Sequence, residues 1–193
     1  MSELSLNTPV LLTKLHETAG FDCGKSPLNA FLTQYALQNQ ASGGARTYVL
    51  TRGVKVIGYY SLAPASVSPE DSPQRVIQGQ GRYPVPVIMM ARFALDISDQ
   101  GKGLGKALFR DALRRALSGA DIIGGRAFLV HAKDEEARRF YLQFAMEASP
   151  TNPLHLLLLF KDVRQSLKNV EYPVQKAIYA FSLQWHIVAQ KGL

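Results

Sequence analysis

The stretch "ALDISDQGKGLGKALFRDALRRAL", residues 94–117, decides how the chain is to be read. An apolar segment enters a loop with glycines at 101, 103 and 105, and a helical pattern leaves it. In that pattern Leu104, Ala107, Leu108, Ala112 and Leu113 recur at the spacing of a buried helix face. Lys106, Arg110 and Arg114 follow one another at i, i+4 on another side, and Asp111 can pair with Arg115. Glycines between a buried strand and a helix start leave main-chain N–H groups bare, where the helix dipole is positive. A phosphate site is therefore expected. Two nucleotide loops fail on spacing. A Walker loop needs G-x-x-x-x-G-K-[ST], but only three residues separate Gly101 from Gly105, and Ala107 stands where the magnesium-binding hydroxyl belongs. A dinucleotide fingerprint, G-x-G-x-x-G, would require glycine in place of Lys106 or Leu108.

The segment before the loop, "PVPVIMMARFALD" (84–96), is nearly all apolar, as a strand covered on both faces is, with its prolines at the beginning. Further upstream, residues 22–40 predict a helix with Ser26 as N-cap and Pro27 at the first helical position. Residues 45–51 and 54–67 predict two strands of a hairpin, and 68–83 a surface loop. Downstream, "RAFLVHA" (126–132) reads as a strand. "DEEARRFYLQF" (134–144) reads as a helix with acids first and arginines later, and "LHLLLLFKDV" (154–163) as a last strand. The order predicts a mixed α/β domain, its early strands antiparallel and a strand–helix–strand crossover later.

With 193 residues, 47% of them hydrophobic, the chain can bury one ordinary core. Nothing near the start reads as a signal peptide, and the longest apolar run, 154–160, is far too short to cross a bilayer. The lone Cys23 cannot form an intrachain disulfide and reads as a structural thiol, so a cytoplasmic setting is expected. Four scattered histidines and one cysteine give no metal site; His131 reads as a structural histidine at a strand end. The net charge of +7 favours an anionic partner such as nucleic acid.

The segment Gln100-x-x-Gly103-x-Gly105 resembles the acetyl-CoA pyrophosphate loop of the GNAT N-acetyltransferases, [RQ]-x-x-G-x-[GA]. The resemblance implies a mixed, mostly antiparallel central sheet, flanking helices and a splayed strand pair that holds acetyl-CoA. It assigns Gln100, Gly101, Lys102, Gly103, Leu104, Gly105 and Lys106 to the pyrophosphate, and the backbone of Phe93, Ala94 and Leu95 to the pantetheine. In this family the tyrosine of an "FY" pair protonates the leaving thiolate; Tyr141 matches it. With an ordinary pKa near 10, a tyrosine carries its proton at neutral pH, as a general acid must. The family usually continues "GF", whereas this chain has Ala145 and Met146.

The stretches "LNAFLTQYALQNQASGGARTYVL", "VIGYYSLAPASV", "PVPVIMMARFALD", "GKGLGKALFRDALRRAL" and "VHAKDEEARRFY" narrow this further. From about residue 21 to about 163 they look like the GNAT toxins of type II toxin–antitoxin modules. That resemblance implies acetylation of the α-amine of aminoacyl-tRNA, a block on translation, a ribbon-helix-helix antitoxin and a homodimer. Arg46 and Arg92 match arginines typical of these toxins and are the expected tRNA contacts; Lys25, Arg75, Arg82, Lys102 and Arg110 are further candidates. Arg92, inside an apolar strand, is costly if buried unpaired. No carboxylate stands out as a base. Neutralising an α-amine of pKa near 8 at pH 7 costs about 1.4 kcal/mol, against about 4.6 kcal/mol for a lysine, so a site without a strong base suits an α-amine. Other readings are a GNAT acting on a protein or small-molecule amine, and a non-catalytic scaffold that binds nucleic acid. Residues 164–193, with Tyr172, Tyr179, Phe181 and Trp185, form an expected C-terminal extension to a 1–163 domain.

Overall fold

In the computed structural model, which describes residues 5–167, a short strand β1 (Val10–Leu11) precedes a helical segment built in three parts. These are α1 (Ser26–Ala30), a π-helical turn (Phe31–Tyr35) and α2 (Ala36–Ala41). There follow β2 (Arg46–Arg52), β3 (Lys55–Val67), a short α3 (Gln74–Ile77), β4 (Val85–Leu95), α4 (Leu104–Ile123), β5 (Ala127–His131), α5 (Glu135–Leu142), β6 (Glu147–Ala148) and β7 (His155–Leu159). The strands make one sheet in the order β1-β2-β3-β4-β5-β7-β6. Only β4 and β5 are parallel, joined by the α4 crossover; every other neighbouring pair is antiparallel. This is the expected α/β architecture.

The α4 face of the sheet holds the main core. Tyr60, Leu62, Ile88, Met90, Phe128, Val130, Leu156 and Leu158 meet Leu108, Phe109, Ala112, Leu113 and Ala116 of α4. The opposite face carries two smaller clusters. One lies under α1 and α2 (Leu32, Ala36, Val49, Tyr59, Ala94), the other around α3 (Val76, Val87, Leu129, Leu157). Coverage on both sides explains the continuous apolar run of β4.

A bulge in β4 places the site. Met90 pairs with Leu62 but Arg92 pairs with Ser61, so Ala91 is an extra residue. One extra residue reverses the alternation beyond it. Met90 points to α4, and so does Phe93, while Arg92 and Ala94 point to α1. Without the bulge Arg92 would enter the α4 core. Instead it is exposed: its guanidinium lies 5.2 Å from the centre of the Phe31 ring and donates to the Ala91 carbonyl at 2.7 Å. Gly58 lies across from Leu95, and a Cβ there would come within 2.6 Å of Leu95 Cδ2 and 3.3 Å of the Ala94 carbonyl.

Several local expectations are corrected. Ser26 is the first helical residue rather than the cap, which is Lys25, with no side-chain cap bond. The turn is tied instead by Asp22, whose Oδ1 accepts from Gly24 N and Asn29 Nδ2, both at 2.8 Å. Residues 68–83 contain a 3-10 turn (Pro69–Asp71) and α3, because Val76 has a core to enter and is 1% exposed. Ala107 is exposed, and Phe109 takes the central place in the core. The last strand stops at Leu159; residues 160–167 are helical and bury Phe160 and Val163 against the α4 core. That helix runs across the expected boundary at 163, and the remainder of the expected extension, 168–193, lies outside the described residues.

Candidate active site

The β4–β5 ladder runs only from Val87–Ala127 to Met90–Val130. Residues 91–95 continue along β3 and, among the described residues, have no strand partner on their β5 side. The main-chain bond from Asp96 N to Ile57 O, 2.9 Å, fixes the phase of that free edge. Alternation turns the N–H and C=O of Ala94 toward β3, and those of Phe93 and Leu95 toward the slot that β5 has left. Of the three residues expected along a pantetheine, two therefore present polar main chain to the slot and Ala94 does not. Gln100 closes one end: its Nε2 donates to the Leu95 carbonyl at 2.9 Å.

The glycine loop lies at the foot of this slot. Gly101 and Gly103 take φ of +74° and +79°, where an L side chain is strained. Nothing of the protein lies within 4 Å of where their Cβ atoms would be, so the left-handed backbone, and not crowding, demands glycine. Gly103 is the N-cap of α4 and offers no side chain to its head. The first turn has no acidic residue. A helix of 20 residues thus presents uncapped N–H groups and its positive dipole end to open space. Gly105, the second residue of α4, packs under Leu95 and Phe140.

The loop is braced from beneath by Asp99, 5% exposed, which receives Arg52 Nη2 at 2.9 Å and Lys102 Nζ at 3.0 Å. Burial works against its charge, but these donors hold its carboxyl below the usual carboxylate value. Lys102 is committed to this brace, whereas Lys106 is exposed on the first turn with no ion pair among the described residues. Asp96 adds a second tie: its carboxylate accepts from Ser98 N and from Asp22 N, at 3.0 and 3.1 Å, joining the loop to the segment before α1.

Tyr141 packs on the α4 face beside Phe93, whose main chain faces the slot. Asp134 caps α5 by accepting from Ala137 N at 2.8 Å, and tyrosines on a helix lean back toward its start. The ring packs among Phe93, Phe109 and Phe140 at 5.3–6.4 Å between centroids. The residue is 7% exposed, and its hydroxyl has no partner among the described residues yet is not sealed from solvent. Burial first, and the nearby Asp134 charge second, push its pKa above the ordinary tyrosine value. The phenol stays protonated at any physiological pH, as a proton donor must. Phe109, at the centre of this cluster and 4.3 Å from Phe144, was not singled out in the sequence. The cue was available, an aromatic one position past Leu108 on the core face of α4.

Arg46 and Arg92 stand at the same level of the sheet, against Leu62 and Ser61 of β3. They do not share a face: Arg46 alternates with Tyr48 toward α4, and Arg92 with Ala94 toward α1. Arg75 is a structural clasp, bonded to Glu147 at 2.5 Å and Asp162 at 2.9 Å. Lys25, Arg82 and Arg110 are exposed and free of ion pairs among the described residues. Cys23 is buried, its Sγ 3.0 Å from Asn29 Oδ1, with its pKa raised by burial. No group of three or more metal-ligating side chains occurs among the described residues, and no described helix is long and apolar enough to cross a membrane. A surface hollow lined by Lys14, His16, Thr33 and Gln34 among others contains none of the loop residues.

No family model matches the chain. A tRNA-acetylating toxin of Mycobacterium tuberculosis is 45% identical over 158 residues, covering 82% of this chain and 95% of that protein. Among solved structures, AtaT complexed with acetyl-methionyl-tRNAfMet superposes with a TM-score of 0.77 at 27% identity, over 84% of this chain and 99% of that one. A tyrosine-to-phenylalanine mutant of the AtaT toxin, bound to acetyl-CoA and the C-terminus of the antitoxin AtaR, gives 0.72 at 26% identity, over 85% and 99%. The chain belongs to the tRNA-acetylating toxins, a branch of the GNAT acetyltransferases.

Proposed function

We propose that this chain is an acetyl-CoA-dependent N-acetyltransferase that acetylates the α-amine of the amino acid on charged tRNA and so blocks translation. Tyr141 carries the reading: a buried, protonated phenol beside Phe93 at the free edge of β4, its hydroxyl without a partner among the described residues. Main-chain groups of Phe93 and Leu95 hold the pantetheine, and the N–H groups of Gly103, Leu104 and Gly105, with the Lys106 charge, hold the pyrophosphate. Gln100, Gly101 and Lys102 shape that cradle rather than supply its charge. When bound, acetyl-CoA contributes an activated acyl group, and Tyr141 supplies the proton that its thiolate needs. The cations Arg46, Arg82, Arg110 and Lys25, without ion pairs among the described residues, and Arg92 over Phe31 supply the positive field for an RNA acceptor end. The catalytic unit is residues 1–163, working as a homodimer in the cytoplasm and neutralised by a ribbon-helix-helix antitoxin.

Mass spectrometry of a full aminoacyl-tRNA pool incubated with the protein and acetyl-CoA tests the reading. N-acetylated aminoacyl adducts are expected. Their absence from the whole pool would overturn the reading and leave a protein or small-molecule amine as acceptor, or a non-catalytic scaffold. Tyr141→Phe is expected to slow transfer by about 10²–10⁴-fold while acetyl-CoA binding, measured by calorimetry, stays unchanged.

A further inference from the structure

Two sides of the slot are chemically distinct. Tyr141 approaches from the α4 face. On the other face His131, the last residue of β5, lies directly across from His155, the first of β7. Their rings stack at 3.7 Å between centroids, 13° from parallel. The last β4–β5 pair is Met90–Val130, so His131 is the first residue of β5 past the point where the strands part. Leu129 belongs to the cluster on the α3 face and Val130 to the α4 core; His131 follows Leu129 onto the α3 face, and His155 shares that face with Leu157. The phenol and the imidazole therefore stand at the same end of β5 on opposite faces of the sheet. The amine has to come from the face that α4 and α5 leave uncovered.

We propose that His131 accepts the proton of the incoming α-ammonium group, and that His155 is the positioning residue that holds its ring. This rests on the transferase reading above. The ammonium group gives one proton to the neutral imidazole. The amine nitrogen then bonds to the thioester carbonyl carbon as the carbon–sulfur bond breaks. Tyr141 passes its proton to the departing sulfur, and the surplus proton on nitrogen restores the phenol. The imidazolium returns its proton to water, which reaches His131 because that residue is exposed. The net change is ammonium plus thioester to amide, thiol and one proton.

Other groups at the pair are consistent with a neutral imidazole. Two stacked rings resist a second charge, and burial followed by His155 holds His131 below the ordinary histidine value. Asn152 Nδ2 lies 3.2 Å from His155 Nε2. Asp71, before α3, feels the His155 charge and is itself bonded to Ser68 and Thr151. Lys133 and Asp134, which follow His131, pair with each other at 3.4 Å. Met89 of β4, on the same face, is uncharged.

The experiment is the pH profile of kcat/KM for a charged tRNA that the wild type acetylates, from pH 5.5 to 9. The wild-type acid limb is expected below pH 6.5. In His131→Gln it moves up to the α-amine's own value near 8, and the rate at pH 7 falls at least about tenfold. Added imidazole restores part of that rate, which a structural role would not allow. His155→Phe keeps a stacking ring but cannot ionise, so the repulsion that disfavours a charged His131 is removed and the acid limb shifts up. A His131→Gln profile that superposes on the wild type, with acetyl-CoA affinity intact, overturns the inference alone. Wild-type protein that transfers to no charged tRNA overturns the parent reading and this one with it. Should His131→Gln fail to fold, His155→Phe decides: an unmoved limb overturns the assignment and an upward shift supports it.

Discussion

Ala145→Gly should make the protein more stable, and the amount can be worked from one backbone angle. Ala145 is the only residue other than glycine with positive φ among the described residues, at +57°. It ends the turn after α5, where Phe144 N donates to Tyr141 O at 3.0 Å and Ala145 N to Leu142 O at 3.2 Å, before Met146 re-enters the core. The left-handed conformation costs an L-residue about 1–2 kcal/mol. Its Cβ is exposed, so deleting it loses no packing. Glycine gives back about 0.4–1 kcal/mol through the freer unfolded chain. The net expectation is about 1 kcal/mol of stabilisation, which for a chain of this size raises Tm by about 2–4 °C. Thermal unfolding followed by circular dichroism measures it. An equal or lower Tm for the variant would show that the turn is not strained as the backbone angle indicates.

The helix head and its brace give two more expectations. Gly103→Ala sets a methyl group on a +79° backbone at the α4 cap, so stability should fall by about 1–2 kcal/mol and acetyl-CoA affinity by at least about tenfold in calorimetry. An unaltered affinity would remove the phosphate from that cap. Asp99→Asn deletes the carboxylate that holds Arg52 and Lys102. Because its folded pKa is lowered, Asp99 contributes stability that is present above its unfolded value, near 3.9, and is lost as pH falls through the lower folded value. The variant should be less stable than wild type at pH 6, with the gap narrowing below pH 4. A pH-independent gap in denaturant titrations would contradict the brace.

The parts of the fold legible in the sequence are those governed by a local rule. The α4 head was readable because Gly103 and Gly105 fall between an apolar strand and a 3.6-residue pattern. Asp134 as the cap of α5, and Arg115 paired to Asp111 at 2.9 Å, follow from spacing along one helix. What stayed hidden depends on partners far along the chain. Val76 makes a helix of α3 only because Val85, Val87 and Leu157 provide a surface for it. The bulge at Ala91 leaves no composition signal, since both sides of it are apolar, yet it exchanges the faces of Arg92 and Phe93. Read as an unbroken strand, β4 buries an arginine; with the bulge, the same residues put Phe93 beside Tyr141 and Arg92 over Phe31. The direction of Ala94 was likewise unreadable, because it depends on which residues of β3 lie opposite. The stacking of His131 on His155 required the β5–β7 register, which joins residues 24 positions apart.

The match between base and acceptor can be argued from that register alone. A neutral histidine takes a proton from an α-amine of pKa near 8 at a cost of about 2 kcal/mol, using 6.5 for the imidazole. From a lysine, near 10.4, the same step costs about 5 kcal/mol. Lowering the imidazole further, as burial and His155 do, raises both figures together and keeps their difference. That difference, about 3 kcal/mol, belongs to the two amines; a base as weak as this histidine leaves the lysine step too costly while the α-amine step stays accessible. A carboxylate base would be weaker still at pH 7. The acid, by contrast, has to keep its proton, and the aromatic packing around Tyr141 ensures that by burial. The sheet therefore separates two opposite requirements: a half-open face where an imidazole can lose its proton to water, and a packed face where a phenol holds its own until the sulfur leaves.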